Sequence, residues 1–245
     1  MKILKFIILP ILHFIRRVLT MLKKHCTPHY IAAEIPGSAE LYRNEQMLNC
    51  YNHFKKYFKN SIFLTTKKIR EYAIITSLQN DNDQKKIYLE FGVYVGTTIN
   101  IFANFTKKTT IYGFDSFEGL KEDWHGNDIA SGEFNLKNKL PKVKKNVSLI
   151  VGWVQDTLDD FLNKHKPSIN FVHLDMDTYE TTKFVLNKIK PYLIKNCIIL
   201  FDELYNFSGW DVGEYKALTE TFNESEYKFV AFSSDGRQAV IKIIK

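Results

Sequence analysis

The chain has 245 residues, of which 45% are hydrophobic and 14% aromatic, enough for one sizeable packed domain with a small appendage. Its formal charge of +7 sits almost wholly in residues 1–24, where Lys2, Lys5, Arg16, Arg17, Lys23 and Lys24 meet no acid, so that residues 25–245 carry only +1. That distribution argues against a nucleic-acid-binding body, which needs a basic stripe interleaved with aromatics, and three scattered cysteines, Cys26, Cys50 and Cys197, read as reduced thiols of a cytoplasmic protein.

Residues 1–24 predict a basic amphipathic helix. Lys2, Lys5, His13, Arg16, Thr20 and Lys23 fall on one side, and Ile3, Ile7, Ile8, Ile11, Phe14, Ile15, Val18 and Leu22 on the other. Its uncharged run from Phe6 to Ile15 is far short of the ~20 residues a membrane span requires. A signal peptide is the competing reading, but Arg16-Arg17 stands where a small-residue cleavage site belongs. The pattern suits a helix lying on an anionic membrane surface, which would make the protein peripheral on the inner membrane face. A helix docked on the domain or on a partner subunit is the alternative, and Pro10 would kink either one.

Residues 25–64 read as a linker with a helical appendage. Pro28, Pro36 and Gly37 mark the linker, and Ala39 to Phe58 predicts a helix with Leu41, Met47, Leu48, Tyr51 and Phe54 on one face. The main domain is expected over residues 65–245. It opens with a helix capped by Thr65 or Thr66 and running to Ser77, with Ile69, Tyr72 and Ala73 as its buried stripe, followed by a polar turn to Lys86.

The stretch Ile87 to Thr98 then reads as strand, tight turn and helix N-terminus. Glu90 precedes Gly92 and Gly96; Gly92 would let the backbone turn sharply near a ligand, and Gly96 would let the next helix pack close to the strand. A dinucleotide fingerprint would need a third glycine, and a carboxylate at the turn repels phosphate. A second strand, Thr110 to Phe114, ends in Asp115, about twenty residues on, where an α/β fold places the carboxylate that grips a ribose diol. Further strands at Val147–Val151, Asn170–Leu174 and Cys197–Phe201 lead into Gly152 to Leu158, Asp175-Met176-Asp177 and Asp202-Glu203. Ligands of open parallel sheets sit at such carboxyl ends.

Between the second and third of these strands, Phe117 to Lys145 is a long irregular segment holding Trp124, His125, Gly126 and Gly132, read as a lid over the site; an ordered surface insertion is the alternative. The residues after Glu203 form a second aromatic loop expected beside the site, followed by a helix from about Val212. Tyr227–Phe232 and Gln238–Ile244 then alternate around Ser-Ser-Asp-Gly as a hairpin.

Taken together, the turn Glu-Phe-Gly-Val-x-x-Gly, Tyr-Gly-Phe-Asp-Ser-Phe-Glu-Gly-Leu at 112–120, Gly152 to Leu158, Leu-Asp-Met-Asp-Thr-Tyr at 174–179 and Phe-Asp-Glu at 201–203 resemble the macrocin and mycinamicin sugar O-methyltransferases over residues 65–245. The resemblance implies a Rossmann-like class I methyltransferase fold: a seven-stranded, mostly parallel sheet that ends in an antiparallel hairpin, with helices on both faces. It implies S-adenosylmethionine as cofactor and a sugar or glycan hydroxyl as acceptor. Characterised relatives carry two aspartates after the fifth strand, whereas here the second position is Glu203.

The carboxylates carry the chemistry. Residues two apart in an extended chain point the same way, so Asp175 and Asp177 should project together, and like charges held together call for a cation or a proton. An all-oxygen set suits Mg²⁺. Otherwise Asp175 and Asp202 are solvated strand ends and Asp177 caps the helix that starts at Thr178. By resemblance, Asp175, Asp202 and Glu203 would be metal ligands and Asp177 the base; read from the residues themselves, His125 in the lid is the alternative base and His173 on the fourth strand is a satisfied core histidine. The resemblance also places Glu90, Gly92 and Gly96 around the methionine part of the cofactor, Asp115 on the ribose, Ser116 and Phe117 at the adenine edge, and Gln155 with Asp156 at the adenine amino group. A metal-independent methyltransferase for a small molecule or lipid, and a noncatalytic cofactor-binding or scaffold protein, are the competing functions. The sequence leaves a homo-oligomer open.

Overall fold

Strands and helices alternate along the chain, and the apolar runs of the strands decide which of them end in the middle of the sheet. A computed structural model describes residues 37–79, 86–125, 129–137 and 139–244. The readings of residues 1–24 as an amphipathic helix, of 25–36 as linker and of 80–85 as a polar turn lie outside them. Leu41–Lys245 forms one compact unit. In chain order the elements are α1 (Ser38–Phe58), β1 (Ile62–Leu64), α2 (Thr66–Gln79), β2 (Lys86–Phe91), α3 (Thr97–Phe105), β3 (Ile111–Asp115), β4 (Val147–Val151), α4 (Val154–His165), β5 (Ser168–Leu174), α5 (Tyr179–Ile189), β6 (Leu193–Phe201), α6 (Glu214–Thr221), β7 (Tyr227–Ser233) and β8 (Ala239–Ile243). Among the described residues no helix is long and apolar enough to cross a membrane.

One sheet runs β1-β7-β8-β6-β5-β2-β3-β4. Its pairs are parallel except those of β8, which lies antiparallel between β6 and β7. The expected seven strands become eight because Ile62–Leu64 adds a parallel edge strand on β7. Three residues are too few to leave an alternation in sequence, and the segment lies within what reads as the appendage.

Parallel strands covered on both faces are near-continuous apolar runs, and the period of two sorts their side chains into two cores. Leu89, Phe91, Val172, Leu174, Ile199 and Phe201 face one way, toward α4, α5, α6 and the buried residues Cys50 and Phe54 of α1. Tyr88, Phe171, Ile198 and Leu200 face the other, toward Ile69, Ala73 and Ile74 of α2 and Ile99, Phe102 and Ala103 of α3.

Two expectations about aromatic segments change here. On α1 only Phe54 of the proposed apolar face is buried; Leu41, Leu48 and Tyr51 are exposed, because the helix turns Cys50 and Phe54 inward instead. The loop after Glu203 does not line the ligand cleft, although Arg237 bridges its Phe207 to the cleft residue Trp124. Phe54 meets the rings of Tyr205, Trp210, Tyr215, Phe229 and Phe232 at centroid distances of 4.9 to 5.9 Å, so that loop is pinned as core. Burying these large rings removes more apolar area from water than exposing them at a binding site would allow.

Candidate active site

The carboxyl ends of β2 and β5 approach each other at Gly92. Asp175 N–H donates to Phe91 O at 2.8 Å, and a Cβ placed on Gly92 would stand 1.7 Å from the Asp175 carbonyl oxygen. With φ at 85°, only glycine satisfies both the turn and the approach. Gly96 also adopts a left-handed φ, of 80°, as the residue before α3, but it faces Pro141 and Val143 rather than the cleft. The close packing of α3 on the sheet, expected at Gly96, is provided by Gly113, where a Cβ would lie 2.5 Å from Ile99 Cδ1.

Asp115 ends β3 and braces this turn. Its Oδ2 accepts from the N–H groups of Val93 (2.8 Å) and Tyr94 (2.7 Å), and its Oδ1 from Phe117 N–H (2.7 Å). The carboxylate therefore holds the glycine loop in place while still facing the cleft, with lone pairs left for a diol.

A cleft of ≈ 290 Å³ opens at these strand ends. Gly92, Asp115, Ser116, Gln155, Asp175, Asp177 and Glu203 line it, together with Trp124 and Phe134 from the segment read as a lid and Trp153 after β4. Other expected site residues lie elsewhere. Glu90 is fully buried beneath the turn, and Phe117 is core, with its backbone bonded to Asp115 and Leu136. Asp156 is exposed on the outer side of the first turn of α4. His125 is exposed and is not part of the lining, although its neighbour Trp124 is.

Three carboxylates meet at the cleft floor. Oxygens of Asp175, Asp177 and Glu203 all lie within 4.8 Å of one another. Asp177 does not cap the following helix; Thr178 is the residue before α5, and Asp177 itself takes a left-handed φ of 66°. That turn, rather than strand periodicity, swings its side chain beside Asp175, since β5 ends at Leu174. Burial, followed by repulsion from Asp202, pushes the Asp177 carboxyl up to about 7. The same two causes hold the Asp175 and Glu203 carboxyls well above the usual range. A fourth acid, Glu214 at the start of α6, accepts the Glu203 N–H at 3.0 Å and is fully buried. Sequence reasoning missed it, its only signal being an acid that opens a helix behind Gly213.

Asp202 is directed elsewhere. The Arg70 guanidinium of α2 donates to its Oδ1 and Oδ2 at 2.8 and 3.1 Å, Gln238 donates to Oδ2 at 3.1 Å, and His173 Nε2 lies 3.4 Å from Oδ1. Burial alone would raise the Asp202 carboxyl, but His173 and Arg70 outweigh it and hold the group below the usual carboxylate range. His173, Asp175 and Asp202 also come close enough to share an ion, yet both Asp202 oxygens already have donors and the residue does not line the cleft. Of the expected ligands, Asp175 and Glu203 thus stand together with Asp177 on the cleft floor, while Asp202 lies beside Asp175 in a buried row with Arg70 and His173.

That row extends to Glu90, whose Oε1 lies 3.6 Å from His173 Nδ1 and accepts the Thr98 hydroxyl. Glu90 and His173 are register partners on β2 and β5, on the face covered by α2 and α3. In this row Arg70 pairs with Asp202, burial raises the Glu90 carboxyl, and a protonated His173 would balance Glu90 wherever that carboxyl is ionised. Burial would lower the basicity of His173, but Asp202 and Glu90 raise it to about 10. Glu90 therefore lies beside His173 beneath the turn and is not part of the cleft lining.

Residues 89–204 match the family described as a methyltransferase domain. Similar solved structures include the calicheamicin methyltransferase CalS11, at 22% identity and a TM-score of 0.59 over 92% of this chain and 90% of that one. An apo structure of CalS11, described as a TDP-rhamnose 3'-O-methyltransferase, aligns at 21% identity and 0.53 over 92% and 91%. The O-methyltransferase NovP aligns at 17% and 0.51 over 73% and 79%. At these identities the likeness is one of fold. No curated protein sequence matches the chain.

Proposed function

From the premise that residues 89–204 carry a methyltransferase domain within a class I methyltransferase fold, we propose that the protein transfers the methyl group of S-adenosylmethionine to a hydroxyl of a sugar or glycan. The observation that carries this reading is the cleft itself, where the glycine turn and Asp115 stand on one side and the Asp175, Asp177 and Glu203 carboxylates form the floor. The sugar acceptor is supported by the motif set of the sequence and by the function named for CalS11.

When bound, S-adenosylmethionine supplies a methyl group already activated by its sulfonium. The chain must align the acceptor oxygen with that methyl and take one proton. Asp177 is placed for the second task, because a carboxyl raised to about 7 is part ionised at neutral pH and retains basicity. Asp115 and Gln155 face the cleft where a ribose diol and an adenine amino group would be held, and Trp124, Phe134 and Trp153 line it with aromatic rings.

The residues present also fit Mg²⁺. The donor set is all oxygen, and Glu203 Oε2 is buried with no hydrogen-bond partner. Asp175 and Glu203 would hold the ion and leave Asp177 for the proton. A bound Mg²⁺ would lower the pKa of the acceptor hydroxyl and fix its orientation. The capture of Asp202 by Arg70 favours a second reading, the same transfer without a metal.

The test is mass spectrometry of sugar acceptors incubated with the protein, labelled S-adenosylmethionine and Mg²⁺. Label should appear on one hydroxyl, Asp177→Asn should abolish its appearance while cofactor binding by calorimetry persists, and EDTA should suppress it reversibly. Cofactor binding without transfer to any hydroxyl-bearing acceptor would overturn the proposal, and transfer unaffected by EDTA would decide for the metal-free reading.

A further inference from the structure

The near-neutral body of the protein is unevenly charged. From Phe91 to Phe114, and again from Phe134 to Gln155, there is no aspartate, glutamate or arginine, and these two stretches hold Lys107, Lys108, Lys137, Lys139, Lys142, Lys144 and Lys145. The fold lays the two stretches side by side. Asn100 of α3 donates to Lys142 O and accepts from Lys144 N–H, both at 2.9 Å. Asn146 donates to Ala103 O and Thr106 O at 3.0 and 3.1 Å, which draws the Lys107-Lys108 turn to the same edge. All seven lysines are exposed, and the described ion pairs within 4.0 Å use other residues.

The same two stretches also expose apolar side chains. Tyr94, Val95, Phe105, Leu140 and Val151 all stand out to solvent, Leu140 by 56%. Tyr94 also lines the cleft and meets Phe134 edge to face, so this surface reaches the mouth of the cleft.

We propose that this face, built on α3 and on residues 137–145, docks on an anionic lipid bilayer. Lysines are flexible point charges that attract a diffuse array of anionic headgroups, and their aliphatic stems tolerate partial immersion. Leu140 and Val95 are single apolar side chains among those charges, suited to shallow insertion between lipids. A nucleic-acid face would be expected to use arginine forks and stacking aromatics, whereas this one has no arginine and its exposed apolar residues are mostly aliphatic. The inference uses only residues of the methyltransferase body and is independent of the helix expected over residues 1–24. Docking would set the cleft mouth, through Tyr94, at the edge of the membrane contact.

The experiment is co-sedimentation of the full chain with phosphatidylcholine vesicles, with and without phosphatidylglycerol, at low and at physiological salt. Wild type should partition to the anionic vesicles only, and less at higher salt. Lys144→Glu with Lys145→Glu should reduce partitioning at least about tenfold. Lys67→Glu with Lys68→Glu makes the same change in net charge on α2, at the end anchored to Asp235, and should leave partitioning within about twofold. Leu140→Ser, which changes no charge, should reduce it about threefold. Thermal melts of each variant establish folding, and all of these positions are exposed. No binding of wild type to anionic vesicles, or equal losses in the two charge-matched pairs, would overturn the proposal. So would tighter binding to a single-stranded oligonucleotide that is lost with Lys144 and Lys145 but unaffected by Leu140→Ser, which would assign the face to nucleic acid.

Discussion

A Cβ on Gly92 would lie 1.7 Å from the carbonyl oxygen of Asp175, so the glycine turn after β2 and the acidic turn after β5 cannot be moved independently. Gly92→Ala should therefore disturb the carboxylate trio as well as the cofactor loop. Overpacking against backbone together with the cost of a left-handed alanine should destabilise the protein by about 2–4 kcal/mol. Gly96→Ala meets only the side chains of Pro141, Val143 and Asn100, at 3.3 to 3.5 Å, and should cost about 1–2 kcal/mol. Urea denaturation of the two variants checks the order, and equal losses would mean that the approach at Gly92 is not tight in solution.

Asp115 has two duties, and its removal should be seen in two measurements. Asp115→Ala strands three backbone N–H donors, those of Val93, Tyr94 and Phe117. It should weaken S-adenosylmethionine binding at least about tenfold, or about 1.4 kcal/mol, and also lower the melting temperature of the cofactor-free protein. Calorimetry that finds unchanged affinity in a folded variant would remove Asp115 from the cofactor site; a loss of affinity without any loss of stability would mean that the brace on the turn is dispensable.

His173 balances two buried acids. His173→Leu should destabilise the fold by about 3–5 kcal/mol, because Glu90 and Asp202 lose the cation between them and keep only Arg70 and the neutral donors Thr98 and Gln238. Adding Glu90→Gln should recover part of that loss, a coupling visible in a double-mutant cycle by urea denaturation. Additive losses would show that Glu90 and His173 do not sense each other's charge.

The acidic trio makes stability depend on pH and on metal. The Asp175, Asp177 and Glu203 carboxyls are raised in the folded state, so folding favours their protonated forms. Their contribution is fully present below the unfolded values near ~4 and is lost as pH rises through the folded ones, which for Asp177 lies at about 7. Mg²⁺ binding to ionised Asp175 and Glu203 would offset part of that loss. The melting temperature should accordingly rise with Mg²⁺ at pH near ~8 and hardly change at pH near ~5. Glu203→Gln should abolish the Mg²⁺ shift. Asp202→Asn should lower stability by unpairing Arg70 and leave the shift in place. A metal shift equally lost in both variants would return Asp202 to the ligand set.

The alternation of strands and helices, the end of each central strand in an acidic turn, the glycine turn after Glu90 and the closing hairpin were all legible in the chain alone. They are local: a period of two, a glycine where φ is positive, and an apolar run bounded by polar residues each leave a mark in consecutive positions. The partners of the carboxylates left no such mark. Strand parity puts Glu90 and His173 on one face, but only the packing of α2 brings Arg70 to Asp202, and only the pairing of β6 with β8 brings Gln238 there. Asp177 joins Asp175 and Glu203 because of a left-handed turn beyond the end of β5, where the periodicity of the strand no longer constrains direction. Acids that read as one cluster in the sequence are divided by tertiary structure into a cleft trio and a neutralised buried row, because burial charges each carboxylate a desolvation cost that only a nearby cation, donor or proton can offset.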